Sequence, residues 1–187
     1  MYNSADINLC VLRDAYIKQA HDNGLKLLSW NVWDKRSPGS IGSQSAMFPL
    51  RHEFIFVFGD KPYQLNRSIP KLGTGDNRTR VKVRDKDGSM KYRSTTQYHD
   101  EPNKKLESVI QITPEKRPAL TKHPAVMPQS LAEEYIKALT NENDYVLDCF
   151  GGSGTTLFAC EKLNRNCCLI EINPDYCNDI IQRWKNK

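Results

Sequence analysis

Tyr145-Val-Leu-Asp-Cys-Phe-Gly-Gly-Ser-Gly-Thr-Thr156, followed by Cys167-Cys-Leu-Ile-Glu-Ile-Asn-Pro174, decides the fold. A short apolar run ends in Asp148, a glycine-rich turn follows, and a helix-like segment leads to a second apolar run ending in Glu171. That order predicts a strand–loop–helix–strand unit with an acid at the tip of each strand. Positions 151, 152 and 154 lack a Cβ, so backbone there can approach a ligand closely. The helix opening near Thr155 points its free N–H groups at whatever sits in front of it. Glu171 follows Asp148 by 23 residues, near the spacing of about 20 at which an acid meets ribose hydroxyls.

These features point to a nucleoside-containing cofactor and leave NAD and S-adenosylmethionine both open. The glycines fall at the wrong offsets for a Gly-x-Gly-x-x-Gly dinucleotide fingerprint. No Gly-x-x-x-x-Gly-Lys phosphate loop is present. A glycine turn between two core strands, with no ligand, is the plain alternative.

The stretch from Asp148 to Thr156 resembles the S-adenosylmethionine loop of the amino-methyltransferases that modify exocyclic amines in DNA, with Cys149 where that family usually carries proline. The likeness extends upstream. His123-Pro-Ala-Val-Met-Pro128 is similar to the segment that closes over the cofactor's methionine end. Leu25-Lys-Leu-Leu-Ser-Trp-Asn-Val-Trp-Asp34 and Arg51-His-Glu-Phe-Ile-Phe-Val-Phe-Gly59 resemble strands that follow the catalytic strand. The order, catalytic half before cofactor half, matches the circularly permuted β-type arrangement, and the resemblance covers almost the whole chain.

The resemblance implies that Asp148, Phe150, Gly151, Gly152, Ser153, Gly154, Thr155 and Thr156 line S-adenosylmethionine. It gives the ribose hydroxyls to Glu171, a flank of the adenine to Ile172, and the methionine end to His123 and Pro124. The family reaction is attack of a flipped base's exocyclic amine on the S-adenosylmethionine methyl, giving N6-methyladenine or N4-methylcytosine. Its tetrapeptide, Asp/Asn/Ser-Pro-Pro-Tyr/Phe, accepts hydrogen bonds from the amine and stacks on the base. No such tetrapeptide occurs in this sequence, so no catalytic residue is assigned. Asp60-Lys-Pro-Tyr63 has lysine in place of the first proline. Asn173-Pro-Asp-Tyr176 reads as helix punctuation, an Asn N-cap with Pro at N1. Tyr176, Ile180 and Trp184 then recur as one apolar face.

Composition sets the outer bounds. A chain of 187 residues suits one domain. With 39% apolar and 26% charged residues and mean hydropathy −0.64, it reads as cytoplasmic, with no membrane span and no signal peptide. The six cysteines, at 10, 149, 160, 167, 168 and 177, show no zinc spacing. Four of them lie in or beside expected core elements and read as small buried hydrophobes in a reducing cytosol, and no metal site is expected.

Charge is unevenly placed. Residues 61–122 hold 15 Lys and Arg against 7 Asp and Glu, a balance of +8, so the rest nets −3 within a whole chain of +5. Such a block suits a phosphate-tracking surface on double-stranded DNA, although basic runs are often only solvated faces. Arg80-Val-Lys-Val-Arg84 and Ser89-Met-Lys-Tyr-Arg93 flank Asp85-Lys-Asp-Gly88, predicting a hairpin. One face of it is expected to present Arg80, Lys82 and Arg84 together with Lys91 and Arg93, and a ribbon of this kind fits a major groove. Arg67, Lys71 and Arg78 extend the candidate DNA-binding set. The polar flanks, 66–78 and 97–105, are expected to order only on DNA.

The fold class is therefore read as α/β, a Rossmann-like methyltransferase three-layer sheet, incomplete, with an inserted basic target-recognition region. Residues 1–60 would carry strands of the catalytic half, 61–122 the insert, and 123–187 the S-adenosylmethionine-binding half. Helices are expected at 8–23, stopped by Gly24, and from a Ser130-Leu-Ala-Glu133 capping box to Thr140. Sheet strands are expected at 25–33, at 52–59 (buried on both faces), at 144–149 and at 167–172, with a loop at 37–46. The strands near 28 and 148 would lack a shared neighbour, so the chain would take that strand from a second polypeptide, close up its sheet, or be a truncated product of marginal stability. The reading is a DNA methyltransferase, or part of one, from a phage or restriction–modification setting. A catalytically inactive remnant that still binds DNA and cofactor competes with it, as does a nicotinamide-dependent oxidoreductase.

Overall fold

The computed structural model describes residues 9–36, 51–70, 80–94, 103–115 and 121–186. Helix α1 (Leu9–Asp22) stops at Gly24, where φ is +78° and a residue with no Cβ carries the left-handed turn. Strand β1 (Lys26–Asp34) then runs antiparallel to β2 (His52–Gly59). The expected loop at 37–46 lies outside the described residues.

β1 is the middle strand of its sheet. On one side it pairs along its length with β2, and on the other Val32, Trp33 and Asp34 pair in parallel with β7 (Val109–Gln111). Around residue 28 itself β1 thus has no second strand neighbour among the described residues, and β2 is paired on one side only. Nor is β2 buried on both faces: His52, Glu53 and Phe54 are exposed and the rest are half-buried. Its apolar run reflects aromatic packing instead. Trp30 of β1 meets Phe54 edge-on at 5.4 Å and Phe56 at 5.4 Å.

The second sheet pairs β8 (Tyr145–Asp148) in parallel with β9 (Asn166–Leu169), joined by α3 (Thr155–Lys162). Helix α2 (Gln129–Leu139) ties the two sheets together. Its Ala132 and Ile136 pack with Ala159 and Cys160 of α3, against Val146 and Cys167. Its Leu131 and Tyr135 face Trp33 and Ile110 of the first sheet. A stripe covering adjacent positions on one helix can serve two sheets because i and i+4 lie on one face while i+1 turns by about 100°.

Polar groups under α2 are matched. Asn31 is buried, accepts from Ser29 Oγ at 2.5 Å and donates Nδ2 to Tyr135 Oη at 2.9 Å. Burial pushes the Tyr135 phenol up, so it stays neutral. Tyr135→Phe is expected to leave Asn31 without that acceptor and to cost about 1–3 kcal/mol. A thermal melt unchanged from wild type would show that the contact carries no stability.

The start of α2 departs from the capping-box expectation. The N-cap is Pro128, without a side-chain bond. Glu115 reaches in instead: Gln129 N, Ser130 N and Ser130 Oγ donate to its carboxylate at 3.2, 3.4 and 3.1 Å. Glu133 is buried and binds Lys162 of α3 at 2.9 Å. A non-local carboxylate has displaced the local one.

The basic stretch forms two antiparallel ribbons. β3 (Arg67–Pro70) pairs with β6 (Asn103–Lys105), and β4 (Arg80–Arg84) pairs with β5 (Met90–Ser94). Parts of both flanks expected to be unordered are therefore paired. Asn66 anchors the base of the ribbons, donating its N–H to Ala138 O at 2.9 Å and Nδ2 to Thr140 O at 2.9 Å.

Helix α4 (Pro174–Lys185) closes the chain. Asn173 caps it as expected, accepting from Asp175 N at 2.9 Å, with Pro174 at N1. Trp184 is not on its buried face: it is 50% exposed and donates Nε1 to Glu161. No helix among the described residues is long and apolar enough to cross a membrane.

Candidate functional site

The glycine loop sits where the parallel β8–β9 pair opens onto α3. Backbone bonds carry the ladder past the strand ends, with Ile170 N donating to Asp148 O at 2.8 Å and Gly151 N to Ile170 O at 2.8 Å. Asp148 is the last residue of β8, and its Oδ1 accepts from Phe150 N at 2.9 Å. β9 ends at Leu169, so Glu171 stands two residues beyond the strand that was expected to reach it.

That extension lets Glu171 grip the loop. Oε2 accepts from Gly152 N at 2.6 Å and Oε1 from Asn173 N at 2.8 Å. The Asn173 N–H, and then that of Gly152, hold the carboxyl below the usual glutamate range. An ionised carboxylate offers about four acceptor directions, so two N–H donors leave capacity for hydroxyl donors.

Gly152 has φ +53°, and a Cβ there would lie 3.2 Å from His123 Nε2. A Cβ on Gly151 would lie 2.8 Å from the Leu169 side chain. His123 is thus brought against the loop from 29 positions earlier in the chain. Its ring meets Tyr176 edge-on at 4.9 Å, and its Nδ1 accepts from Ala125 N at 3.3 Å. Pro124, beside it, is exposed.

Gly154 caps α3 with φ +79°, and its N–H donates to Gly151 O at 2.7 Å. The first N–H groups of α3 then have no intrahelical acceptor and face outward from the turn. Ser153 and Thr155 are buried with their hydroxyls 2.9 Å apart, and Thr155 Oγ1 donates to Met127 O at 3.3 Å. These two side chains brace the loop from inside, and Thr156 is half-buried on the helix's first turn. Phe150 is 89% exposed and Ile172 97% exposed. Two large apolar side chains, one on the loop and one beside Glu171, are thus left open beside the loop. The structure sets Glu171 and His123 against the glycine loop at Gly152, through a carboxylate bond and a ring contact, while Pro124, Phe150 and Ile172 stand exposed around it.

Sequence reasoning missed Tyr176 as a neighbour of His123, having placed it on a generic apolar face. It also misjudged two cysteines. Cys149, in the loop, and Cys168 are exposed, whereas Cys160 is buried and Cys167 half-buried. Burial, and then the neighbouring Cys160, push the Cys167 thiol up to about 12.

The candidate DNA-binding set is divided. Lys71 and Arg78 lie outside the described residues. Arg67 is half-buried on β3 at the register position of Lys105. In the hairpin, Arg80 pairs with Ser94, Lys82 with Tyr92 and Arg84 with Met90. Lys91 and Arg93 fall at the alternate positions, opposite Val83 and Val81, so the five cations do not share one face. The cause is Ser89, which belongs to the turn: Asp85 N donates to Ser89 O at 2.8 Å, and Ser89 N and Oγ donate to Asp87 Oδ1 at 2.9 and 2.6 Å. One extra turn residue slips the register by one and moves a strand's residues to the other face. Lys91 is further drawn to Asp85 at 2.8 Å.

Among the described residues no group of three His, Cys, Asp or Glu stands close enough to hold a metal ion.

The chain is similar to known proteins. The chain is 31% identical to Type II methyltransferase M1.MboII of Moraxella bovis, over 83% of this chain and 61% of that protein. It is 32% identical to Type II methyltransferase M.HpaI of Haemophilus parainfluenzae, over 83% of this chain and 44% of that protein. The chain thus spans about half the length of these relatives. Among solved structures, the M1.HpyAVI–SAM complex superposes with TM-score 0.65 at 25% identity, covering 93% of this chain and 70% of that one. The cytosine-N4-specific PvuII DNA methyltransferase, at 18% identity, shares the fold with TM-score 0.66 over 98% of this chain and 60% of that one. Residues 2–183 match the N6/N4 methyltransferase family model described as DNA methylase, and the chain belongs to that family.

Proposed function

We propose that this chain is the cofactor-binding and target-recognition part of a site-specific DNA amino-methyltransferase that uses S-adenosylmethionine. The observation that carries the reading is the grip of Glu171 on Gly152 N–H at 2.6 Å, with His123 packed over the same glycine. When bound, S-adenosylmethionine supplies an electrophilic methyl group. Glu171 accepts from ribose hydroxyls with its remaining lone pairs. Phe150 and Ile172 offer apolar surface to the adenine, and the loop backbone from Gly151 to Gly154 comes close because no Cβ intervenes. His123 and Pro124 stand over the methionine end, and Asp148 sets the loop's entry through Phe150 N. Thr155 and Thr156 open the helix whose N–H groups face the ligand.

The acceptor is the exocyclic amine of adenine or cytosine in double-stranded DNA. The ribbons of residues 61–122, with their surplus of cations, are assigned to the phosphate backbone and the groove. Among the described residues, β2 and β8 each end their sheet, with a partner strand on one side only. On this reading the tetrapeptide that holds the target amine lies on strands that pair with those edges. They belong to residues beyond these 187, in the same polypeptide or a second one.

Calorimetric titration with S-adenosylmethionine, with NADH as control, tests the cofactor assignment. Saturable binding of S-adenosylmethionine alone is the expected result. Binding of NADH alone would replace the assignment with a nicotinamide one. Adding a relative's tetrapeptide-bearing half and assaying DNA methylation then tests the catalytic assignment. A folded, cofactor-bound mixture with no methylation would favour a binding remnant.

A further inference from the structure

One face of α4 reaches both segments of the site. Tyr176 meets the His123 ring at 4.9 Å. Asp179 Oδ2 accepts from Lys122 N at 2.9 Å. Ile180 is buried where a Cβ on Gly154 would lie 3.0 Å from it. Arg183 donates to the Ser153 carbonyl, and its guanidinium carbon lies 4.3 Å over the Phe158 ring. The spacing i, i+3, i+4, i+7 makes these one helix face. Trp184, the apolar residue a simple pattern would choose, is left outside it.

The Arg183 contact falls on a single peptide unit. The carbonyl of Ser153 is held by Arg183, and the N–H of the same peptide, on Gly154, donates to Gly151 O at 2.7 Å. Both ends of that peptide are fixed, and it is the peptide that turns the loop into α3. A half-buried arginine is an expensive choice for packing alone: burial disfavours its charge, and Asp179 opposes that effect. Only a planar, charged donor can stack on Phe158 while donating in its own plane to the carbonyl.

We propose that Arg183 is a positioning residue for the cofactor, fixing the Ser153–Gly154 peptide and thereby the direction of the N–H groups that open α3. This rests on the S-adenosylmethionine reading above. Its role is indirect, through the peptide, and it touches no reacting atom.

The test compares wild type, Arg183→Met, Arg183→Lys and, as a control at a half-exposed position of α4 away from the loop contacts, Trp184→Ala. Each is titrated with S-adenosylmethionine well below its melting temperature, and 15N amide spectra are recorded without ligand. Arg183→Met is expected to weaken binding by about tenfold or more, as befits a lost charged hydrogen bond. Arg183→Lys, which keeps the charge but not the planar fork, should fall between Met and wild type, and Trp184→Ala should bind as wild type. In the free protein the Gly152 and Gly154 amide resonances should move in Arg183→Met while Val146 and Cys167 stay. Wild-type affinity and unmoved Gly154 in a folded Arg183→Met would overturn the proposal. If that variant does not fold, wild-type affinity in Arg183→Lys overturns it. A wild-type chain that ignores S-adenosylmethionine would instead sink the cofactor reading, and the glycine amide shifts would still decide whether Arg183 sets the loop.

Discussion

Gly152→Val is expected to reduce S-adenosylmethionine affinity by more than about a hundredfold while leaving the chain folded. Three costs coincide at this position. The backbone has φ +53°, and forcing a β-branched residue there costs about 1–3 kcal/mol. The new Cβ would stand 3.2 Å from His123 Nε2, closer than ordinary contact, so His123 must give way. Relaxing either strain moves the Gly152 N–H away from Glu171 and breaks a charge-assisted bond of 2.6 Å. A total of about 3 kcal/mol corresponds to roughly a hundredfold in affinity. Gly88 isolates the first cost from the rest. It has φ +83° in the hairpin turn, yet nothing lies within 4 Å of a Cβ built there. Gly88→Val should therefore lower the melting temperature slightly and leave cofactor affinity unchanged. Equal binding by Gly152→Val and wild type would mean that the loop does not contact the cofactor.

The contrast between those glycines also shows what a sequence can carry. The loop, the helix at Thr155 and the Asn173 cap were legible because each is a local device, a few residues whose chemistry satisfies their own neighbours. Gly24 stopping α1 belongs to the same class. What was illegible is non-local. β7 is three residues, Val-Ile-Gln, too short for any period, and it exists only because the end of β1 pairs with it. Glu115 caps α2 from 15 positions before Ser130, so a capping box that looked complete was left unused. In the hairpin, alternation within each strand was correct, but the parity across the turn depended on whether Ser89 belonged to the turn or the strand. That single residue decided which cations share a face. On α4, the choice between Trp184 and Arg183 turned on what the helix packs against. The glycine loop presents the Ser153 carbonyl there, and Arg183 is the side chain that donates to it.

Glu171→Ala is expected to cost roughly a hundredfold in S-adenosylmethionine affinity, since the ribose loses a charged acceptor and the loop loses its clasp at once. Glu171→Gln separates the two effects only in part. One oxygen remains an acceptor, but the amide nitrogen would face either Gly152 N–H or Asn173 N–H, donor against donor. Both variants should therefore bind weakly, with Glu171→Gln no better than intermediate. The pH dependence follows from the direction of the shift. The carboxyl is held below its ordinary value of 4.5 because Asn173 N–H and Gly152 N–H bond its ionised form. The clasp it provides is thus fully present above 4.5 and is lost as pH falls through the depressed value. In wild type, the part of the affinity due to Glu171 should stay flat from pH 8 to about pH 5 and fall only in stronger acid. Glu171→Ala, lacking the titrating group, should show no such acid limb. If wild-type affinity declines between pH 7 and about 5 and Glu171→Ala declines with it, another group governs the site. Wild-type affinity in Glu171→Ala at neutral pH would remove the acid from the cofactor site altogether.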